Sequence, residues 1–111
     1  MNADVTTDVV TTRHANSGEL LCYRTVEELL RNARDHAGAQ RIRVEVHEHL
    51  GELAGEVADD GVGFDVAAVL DDPARLGLLS LAQRLDSIGG RMTIQSTPGV
   101  GTRVRFGIPV R

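Results

Sequence analysis

Three polar residues, Glu28, Asn32 and His36, recur at i, i+4 spacing within LLCYRTVEELLRNARDHA, residues 20–37. On a helix they stack in one stripe, a carboxylate, an amide and an imidazole in a row. Such a row can offer an amide oxygen to a hard cation, orient or deprotonate a water through the carboxylate, and donate to an anion through the imidazole. Polar residues beside an apolar stripe also form the ordinary shoulder of an amphipathic helix, so the row needs partners before it is a site. A second carboxylate supplies one. Along the strand pattern from Glu52 to Asp59 the inward positions are Leu53, Gly55, Val57 and then Asp59. Period-2 alternation therefore aims an acid at the buried side, where it must find a hydrogen-bond donor.

The elements that would hold these groups are legible in the apolar spacing. From Leu20 to Ala37, the residues Cys22, Val26, Leu29, Leu30, Ala33 and Ala37 fall in one arc of a helix, with Glu27, Arg31, Arg34 and Asp35 opposite. Asn16 or Ser17 offers an N-cap, and Gly38 a stop. Residues 4–12 read as a Val/Thr-rich strand. Arg41 to His47 alternates, with Ile42, Val44 and Val46 inward, and Leu50-Gly51 turns the chain into its hairpin partner. Asp60 to Asp65 is a tight glycine turn. Val66 to Leu70 predicts a short helix, broken by Asp71-Asp72-Pro73. Leu78, Leu81, Ala82, Leu85 and Ile88 mark a further helix from about Leu76, closed by Gly89-Gly90. Arg91 to Gln95 is a strand with Met92 and Ile94 inward, Ser96 to Gly101 a turn, and Thr102 to Val110 alternates strictly. The order β-α-β-β-α-α-β-β predicts an α/β (α+β) two-layer sandwich: a mixed, mainly antiparallel five-stranded sheet covered on one face by helices.

Asp59, Thr102 and the helix stripe then converge on one pocket. A carboxylate beside a hydroxyl suits an exocyclic amine, and Gly61 and Gly63 let the backbone approach a flat ring. Gly77 opens a helix, whose N-terminus attracts phosphate. Asn32 carries an oxygen of the kind Mg²⁺ accepts. A purine nucleotide with magnesium accounts for all of them. Composition narrows the field further. At 111 residues the chain makes one domain, and its 41% hydrophobic and 25% charged content is that of an ordinary globular protein. A net charge of −4 and no basic run argue against a nucleic-acid binder, and one Tyr, two Phe and no Trp leave little to stack bases on. Cys22 lies on the apolar arc and cannot form a disulfide within the chain, which fits a reducing cytosol. No apolar run approaches 18 residues, so membrane insertion by this chain is not expected.

Four stretches carry a resemblance. YRTVEELLRNARDHAGA (23–39), VADDGVGFD (57–65), RLGLLSLAQRLDSIGG (75–90) and STPGVGTRVRFGIP (96–109) resemble, in order, the N box, the first glycine box, the second glycine box and the closing strands of one domain. That domain is the ATP-binding catalytic domain of sensor histidine kinases. Its Bergerat fold is shared by gyrase, Hsp-type chaperone and mismatch-repair ATPases. The detail is most similar to kinases of the nitrate- and desaturase-sensor type. The resemblance implies ATP and Mg²⁺ as cofactors, Asn32 as the metal-binding residue acting through the nucleotide, and Glu28 as the catalytic acidic residue. It implies that Asp59 reads adenine, with Gly61, Gly63, Gly77, Leu78 and Thr102 in the nucleotide-binding set, to which the helix stripe adds His36 as a phosphate donor and the lid adds Arg75.

The activity implied is transfer of the γ-phosphate to a histidine on a separate dimerising helical hairpin, in cis within a longer protein or in trans, with a response regulator served indirectly. The location implied is cytoplasmic, including the cytoplasmic portion of a membrane-bound sensor. Residues 1–111 read as this domain alone. Only a strand and a turn precede the N box, and none of His14, His36, His47 and His49 is a convincing phosphoacceptor. The His47-x-His49 pair reads as a strand end rather than a metal site. Two positions depart from the family. Arg75 stands where a glycine is usual, which stiffens the lid or adds a phosphate contact. Asp35 stands where a basic residue is frequent, which lowers phosphate affinity and favours binding over efficient turnover. Two further readings stay open: an anti-sigma-factor-type serine kinase of the same fold, and a non-catalytic nucleotide-binding module.

Overall fold

Alternation settles which way the sheet faces. In β2 (Arg41–His49) and β3 (Glu52–Asp59) every second residue is buried, Ile42, Val44 and Val46 on one strand and Leu53, Gly55 and Val57 on the other. The computed structural model describes residues 4–10, 17–35, 38–65 and 76–110. The remaining elements are β1 (Asp4–Val10), α1 (Ser17–Asp35), α2 (Leu76–Ser87), β4 (Arg91–Thr97) and β5 (Gly101–Pro109). Strand order is β1-β2-β3-β5-β4. The four strands β2, β3, β5 and β4 pair antiparallel, and β1 joins the edge parallel to β2, as a strand returned through a helix must.

Among the described residues, two helices cover one face. Cys22, Leu29 and Ala33 of α1 and Leu78, Leu81 and Leu85 of α2 join Ile42, Val44, Val46, Leu53, Val57, Val104, Phe106 and Ile108 in one core. Each such fully buried aliphatic or aromatic side chain contributes about 1.5–3 kcal/mol over its exposed state. Thr25 is buried among them, and its hydroxyl donates to the Leu21 carbonyl at 2.7 Å, so no polar atom there is orphaned. Burial, with Glu19 adding to it, pushes the Cys22 thiol up to about 11, leaving it protonated and inert at neutral pH.

The outer face is charged, as the alternation predicts. Arg91 spans to Glu52 with contacts of 2.5 and 2.8 Å, and Glu56 meets Arg103 at 2.7 Å and Arg105 at 3.6 Å. A further pair joins Arg43 to Glu45. Exposed pairs of this kind add up to about 1 kcal/mol each at most, so the helical layer carries the stability. Among the described residues no helix is long and apolar enough to cross a membrane.

Several boundaries move. Helix α1 starts at Ser17, three residues before the apolar spacing begins, with Glu19 in its first turn and Arg34 in its last, both suited to the dipole. It is described to Asp35, and beyond Gly38 (φ +61°) the Ala39 N–H reaches the Ala33 carbonyl at 3.3 Å. Ile88 falls in the turn after α2 and is 44% exposed, so it is not a core residue. Strand β4 runs to Thr97, which makes Ser96 a strand residue rather than part of a turn. Asn16, Ala37 and the short helix expected at 66–70 lie outside the described residues.

The β2–β3 hairpin closes on two residues, Leu50 (φ +52°) and Gly51 (φ +77°). Left-handed backbone at both positions matches the right-handed strand twist but suits Asn-Gly far better than Leu-Gly. Leu50 is 91% exposed and regains nothing by burial. Leu50→Asn should raise the unfolding free energy by about 0.5–1 kcal/mol, read as a higher urea midpoint at unchanged m-value.

Candidate functional site

Chain direction brings the candidate residues to one end of the sheet. There β2 begins, β3 ends, β4 ends and β5 begins. Helix α1 arrives at that end because only residues 36–40 separate it from β2. Helix α2 starts there because its other end turns through Gly89-Gly90 into the far end of β4. The register aligns Ile42 with Asp59, Asp59 with Thr102, and Thr102 with Ser96. The last row of the inner face is thus polar at three of four positions, just where the apolar core stops.

Each of those polar groups is engaged. The half-buried Asp59 accepts the Gly61 N–H at 2.8 Å. Thr102 is 5% exposed, and its Oγ1 lies 2.8 Å from Ser96 Oγ. Ser96 Oγ also accepts the Phe64 N–H at 2.8 Å and donates toward the Gly101 carbonyl at 3.2 Å. One residue on, Asp60 Oδ1 accepts the N–H groups of Gln40 and Arg41, both at 2.9 Å. The Arg41 N–H above all, aided by that of Gln40, holds the Asp60 carboxyl below the usual carboxylate range.

Two glycines let the loops touch. At Gly63 (φ +64°) an added Cβ would lie 2.1 Å from the Thr97 carbonyl oxygen. At Gly101 (φ +142°) it would lie 2.1 Å from that of Asp59. The 61–64 turn and the 97–101 turn therefore meet backbone to backbone, and the Gly99 N–H donates to the Val62 carbonyl at 2.6 Å.

From the helical layer, α1 presents Asn32, 7% exposed, and Glu28, half-buried one turn earlier. Arg31 Nη1 contacts one Glu28 oxygen at 3.0 Å. The other oxygen lies 2.9 Å from where a Cβ on Gly77 would stand, so the stripe meets the first turn of α2. A cleft of about 480 Å³ opens between the two helices there, with Arg24, Glu28, Gly77 and Arg84 in its walls. A smaller opening of about 270 Å³ lies on the outer face of the sheet, where the outward-facing Ala58, Gln95, Thr97 and Arg103 line it beside the strand-end residues Asp59, Gly101 and Thr102. The Leu78 side chain is 1% exposed and belongs to the core, which leaves its backbone as the part able to meet a ligand. His36 and Arg75 lie outside the described residues. His47 and His49 are exposed on β2, and among the described residues no cluster of His, Cys, Asp or Glu could hold a metal ion by itself. Ser96 and Asp60 are absent from the sequence-derived set. Ser96 was within reach, since it continues the inward alternation of Met92 and Ile94.

Comparison with known proteins gives a consistent result. Residues 17–111 match the family described as histidine kinase-, DNA gyrase B-, and HSP90-like ATPase. The chain is 37% identical over 108 residues to an uncharacterized sensor-like histidine kinase of Chloroflexus aurantiacus, covering 94% of this chain and 18% of that protein. It is 33% identical over 91 residues to the sensor histidine kinase YdfH of Bacillus subtilis, covering 81% of this chain and 22% of YdfH. The chain thus spans about a fifth of the length of these relatives. Among solved structures, the histidine kinase domain of the Erythrobacter litoralis EL346 blue-light activated histidine kinase superposes with a TM-score of 0.72 at 22% identity. That alignment covers 96% of this chain and 52% of the other, a likeness of fold.

The Asp60 fastening sets a pH dependence. Its folded-state pKa is depressed, so its stabilisation is fully present above the unfolded carboxyl value, about 3.9, and is lost as pH falls through the folded one. Asp60→Asn should therefore be less stable than wild type at pH 7, with the difference closing as pH falls below the unfolded carboxyl value. Urea unfolding of both proteins across that range gives the measurement. A gap that persists at low pH would mean that the charge is not what fastens the corner.

Proposed function

We propose that this chain, which belongs to the histidine kinase-, DNA gyrase B- and HSP90-like ATPase family, binds Mg-ATP as the catalytic domain of a two-component sensor histidine kinase. It would donate the γ-phosphate to a histidine on a separate helical hairpin. The observation that carries the reading is the meeting of Glu28 with Gly77, where an added Cβ would lie 2.9 Å from the carboxylate, in a fold whose sheet carries the Asp59–Thr102–Ser96 row at the end from which α2 starts. One compact end of the fold thereby holds an acid for the base, a helix start for phosphate and an acid–amide stripe for the transferring end.

Adenine fits the strand side. The Asp59 carboxylate is a pure acceptor matched to an exocyclic amine, and the Gly61–Gly63 turn offers bare backbone to the ring. Phosphates fit the start of α2, whose first-turn N–H groups lack helical partners. The donor set also suits Mg²⁺: the nearly buried Asn32 carries an amide oxygen of the kind the ion accepts, with phosphate oxygens and water to complete an octahedron. When bound, the ion would neutralise charge on the β- and γ-phosphates. Transfer makes a bond from an imidazole nitrogen to phosphorus, breaks the bond to the β-phosphate oxygen and releases ADP. Glu28 is placed to orient the incoming imidazole by accepting its N–H proton, provided that the carboxylate turns from Arg31. The Glu28–Arg31 contact at 3.0 Å favours a second reading, a module that binds nucleotide without turning it over.

Asp59→Asn should weaken ADP binding by more than about 1 kcal/mol, roughly fivefold, because an amide can present a donor to the adenine amine. Calorimetry on the folded variant showing wild-type affinity would remove the assignment. Glu28→Gln should slow phosphorylation of a separately expressed histidine hairpin at saturating Mg-ATP while leaving ATP affinity nearly intact. A wild type that binds ATP but never phosphorylates the hairpin would favour the binding module.

A further inference from the structure

We infer that Ser96 sets the hydrogen-bond polarity of the base-reading end of the pocket: it takes the Thr102 hydroxyl proton, so that Thr102 joins Asp59 as an acceptor and 6-oxopurine nucleotides are rejected. The inference rests on the reading in which an adenine nucleotide lies against Asp59.

Proton counting around Ser96 Oγ carries it. The hydroxyl has one proton and two lone pairs. The Phe64 N–H, a donor only, occupies one lone pair at 2.8 Å. The Gly101 carbonyl, an acceptor only, lies at 3.2 Å and takes the Ser96 proton. The third neighbour, Thr102 Oγ1 at 2.8 Å, must then donate into the remaining lone pair. All three contacts are satisfied in that arrangement alone. If Ser96 donated to Thr102 instead, it would have no proton for Gly101.

The consequence falls on the pocket. Thr102 is 5% exposed, with its one proton committed sideways along the row, and shows lone pairs toward any ligand. Its register partner Asp59 is an acceptor as well, with Oδ1 already holding the Gly61 N–H. Two acceptors side by side suit a 6-amino group, with a water donating both to Thr102 and to the ring nitrogen beside it. They repel a 6-carbonyl oxygen, which finds no donor. Rejection by an unpaired polar group discriminates more strongly than lost van der Waals contact. Without Ser96, the Thr102 proton is free to swing to a 6-oxo group, and the rejection weakens. Ser96 is thus a positioning residue that acts through Thr102.

The test compares ADP with inosine diphosphate, which differ at the 6-substituent and the adjoining ring proton. Affinities for both are measured by calorimetry in wild type, Ser96→Ala, Ser96→Cys and Ser96→Thr, alongside thermal midpoints. Wild type should prefer ADP. In Ser96→Ala or Ser96→Cys, whichever folds, the ADP-to-IDP affinity ratio should fall by about fivefold or more, while Ser96→Thr, which keeps the hydroxyl, should retain it. A residue that only braced the loops would weaken both nucleotides by the same factor, and an unchanged ratio in either folded variant would overturn the inference. Failure of the wild type to bind ADP would overturn the underlying adenine reading instead.

Discussion

At the corner where the chain leaves α1 for β2, one carboxylate oxygen of Asp60 accepts two successive backbone N–H groups, those of Gln40 and Arg41. The Asp60 N–H returns a bond to the Arg41 carbonyl at 3.3 Å. This fastening ties the exit of the helix that carries Glu28 and Asn32 to the end of the strand that carries Asp59. The two halves of the candidate site come from segments far apart in sequence, and Asp60 fixes their spacing. The backbone contacts at Gly63 and Gly101 extend the same fastening across the neighbouring turns. There the loops approach so closely that a methyl group would separate them.

The polar row at the end of the inner face has an energetic logic of its own. Asp59, Thr102 and Ser96 interrupt a surface that elsewhere packs against helices, and unpaired polar groups there would be costly. Instead the row is bonded to itself and to the adjoining turns. A site whose floor is held this way before any ligand arrives has little ordering left to do on binding. A donor or acceptor fixed in this way cannot adapt to the wrong partner, which is the physical basis of the selectivity inferred for the row.

Most of the framework was legible because two periods govern it. Alternation along β2, β3 and β5 assigned Ile42, Leu53, Val57 and Phe106 to the core, and carried Asp59 and Thr102 inward with them. The 3.6-residue period placed Asn32 at the margin of the buried arc. What stayed hidden depends on contacts that no period encodes. Asp60 stands out of alternation and owes its role to the N–H groups of a distant corner. Pro98 and Gly99 give the stretch from Ser96 a turn pattern, yet β4 continues through Thr97 and the Ser96 hydroxyl lies on the inner row beside Thr102. The early start of α1 escaped because its first turn has too few buried apolar residues to register. The approach of Glu28 to Gly77 required the tertiary fold itself.

The candidate site occupies one end of the sheet, and the β2–β3 hairpin stands at the other. There the β2–β3 hairpin turns on Leu50 and Gly51 and is joined to the chain's last strand through the Val110 N–H and the Gly51 carbonyl at 3.0 Å. Lengthening an exposed loop is entropically mild, about 0.6 kcal/mol for each doubling. The hairpin tip is therefore the natural port for added sequence, where a fluorophore-bearing peptide or a whole inserted domain could ride on the fold a full strand-length away from the candidate site.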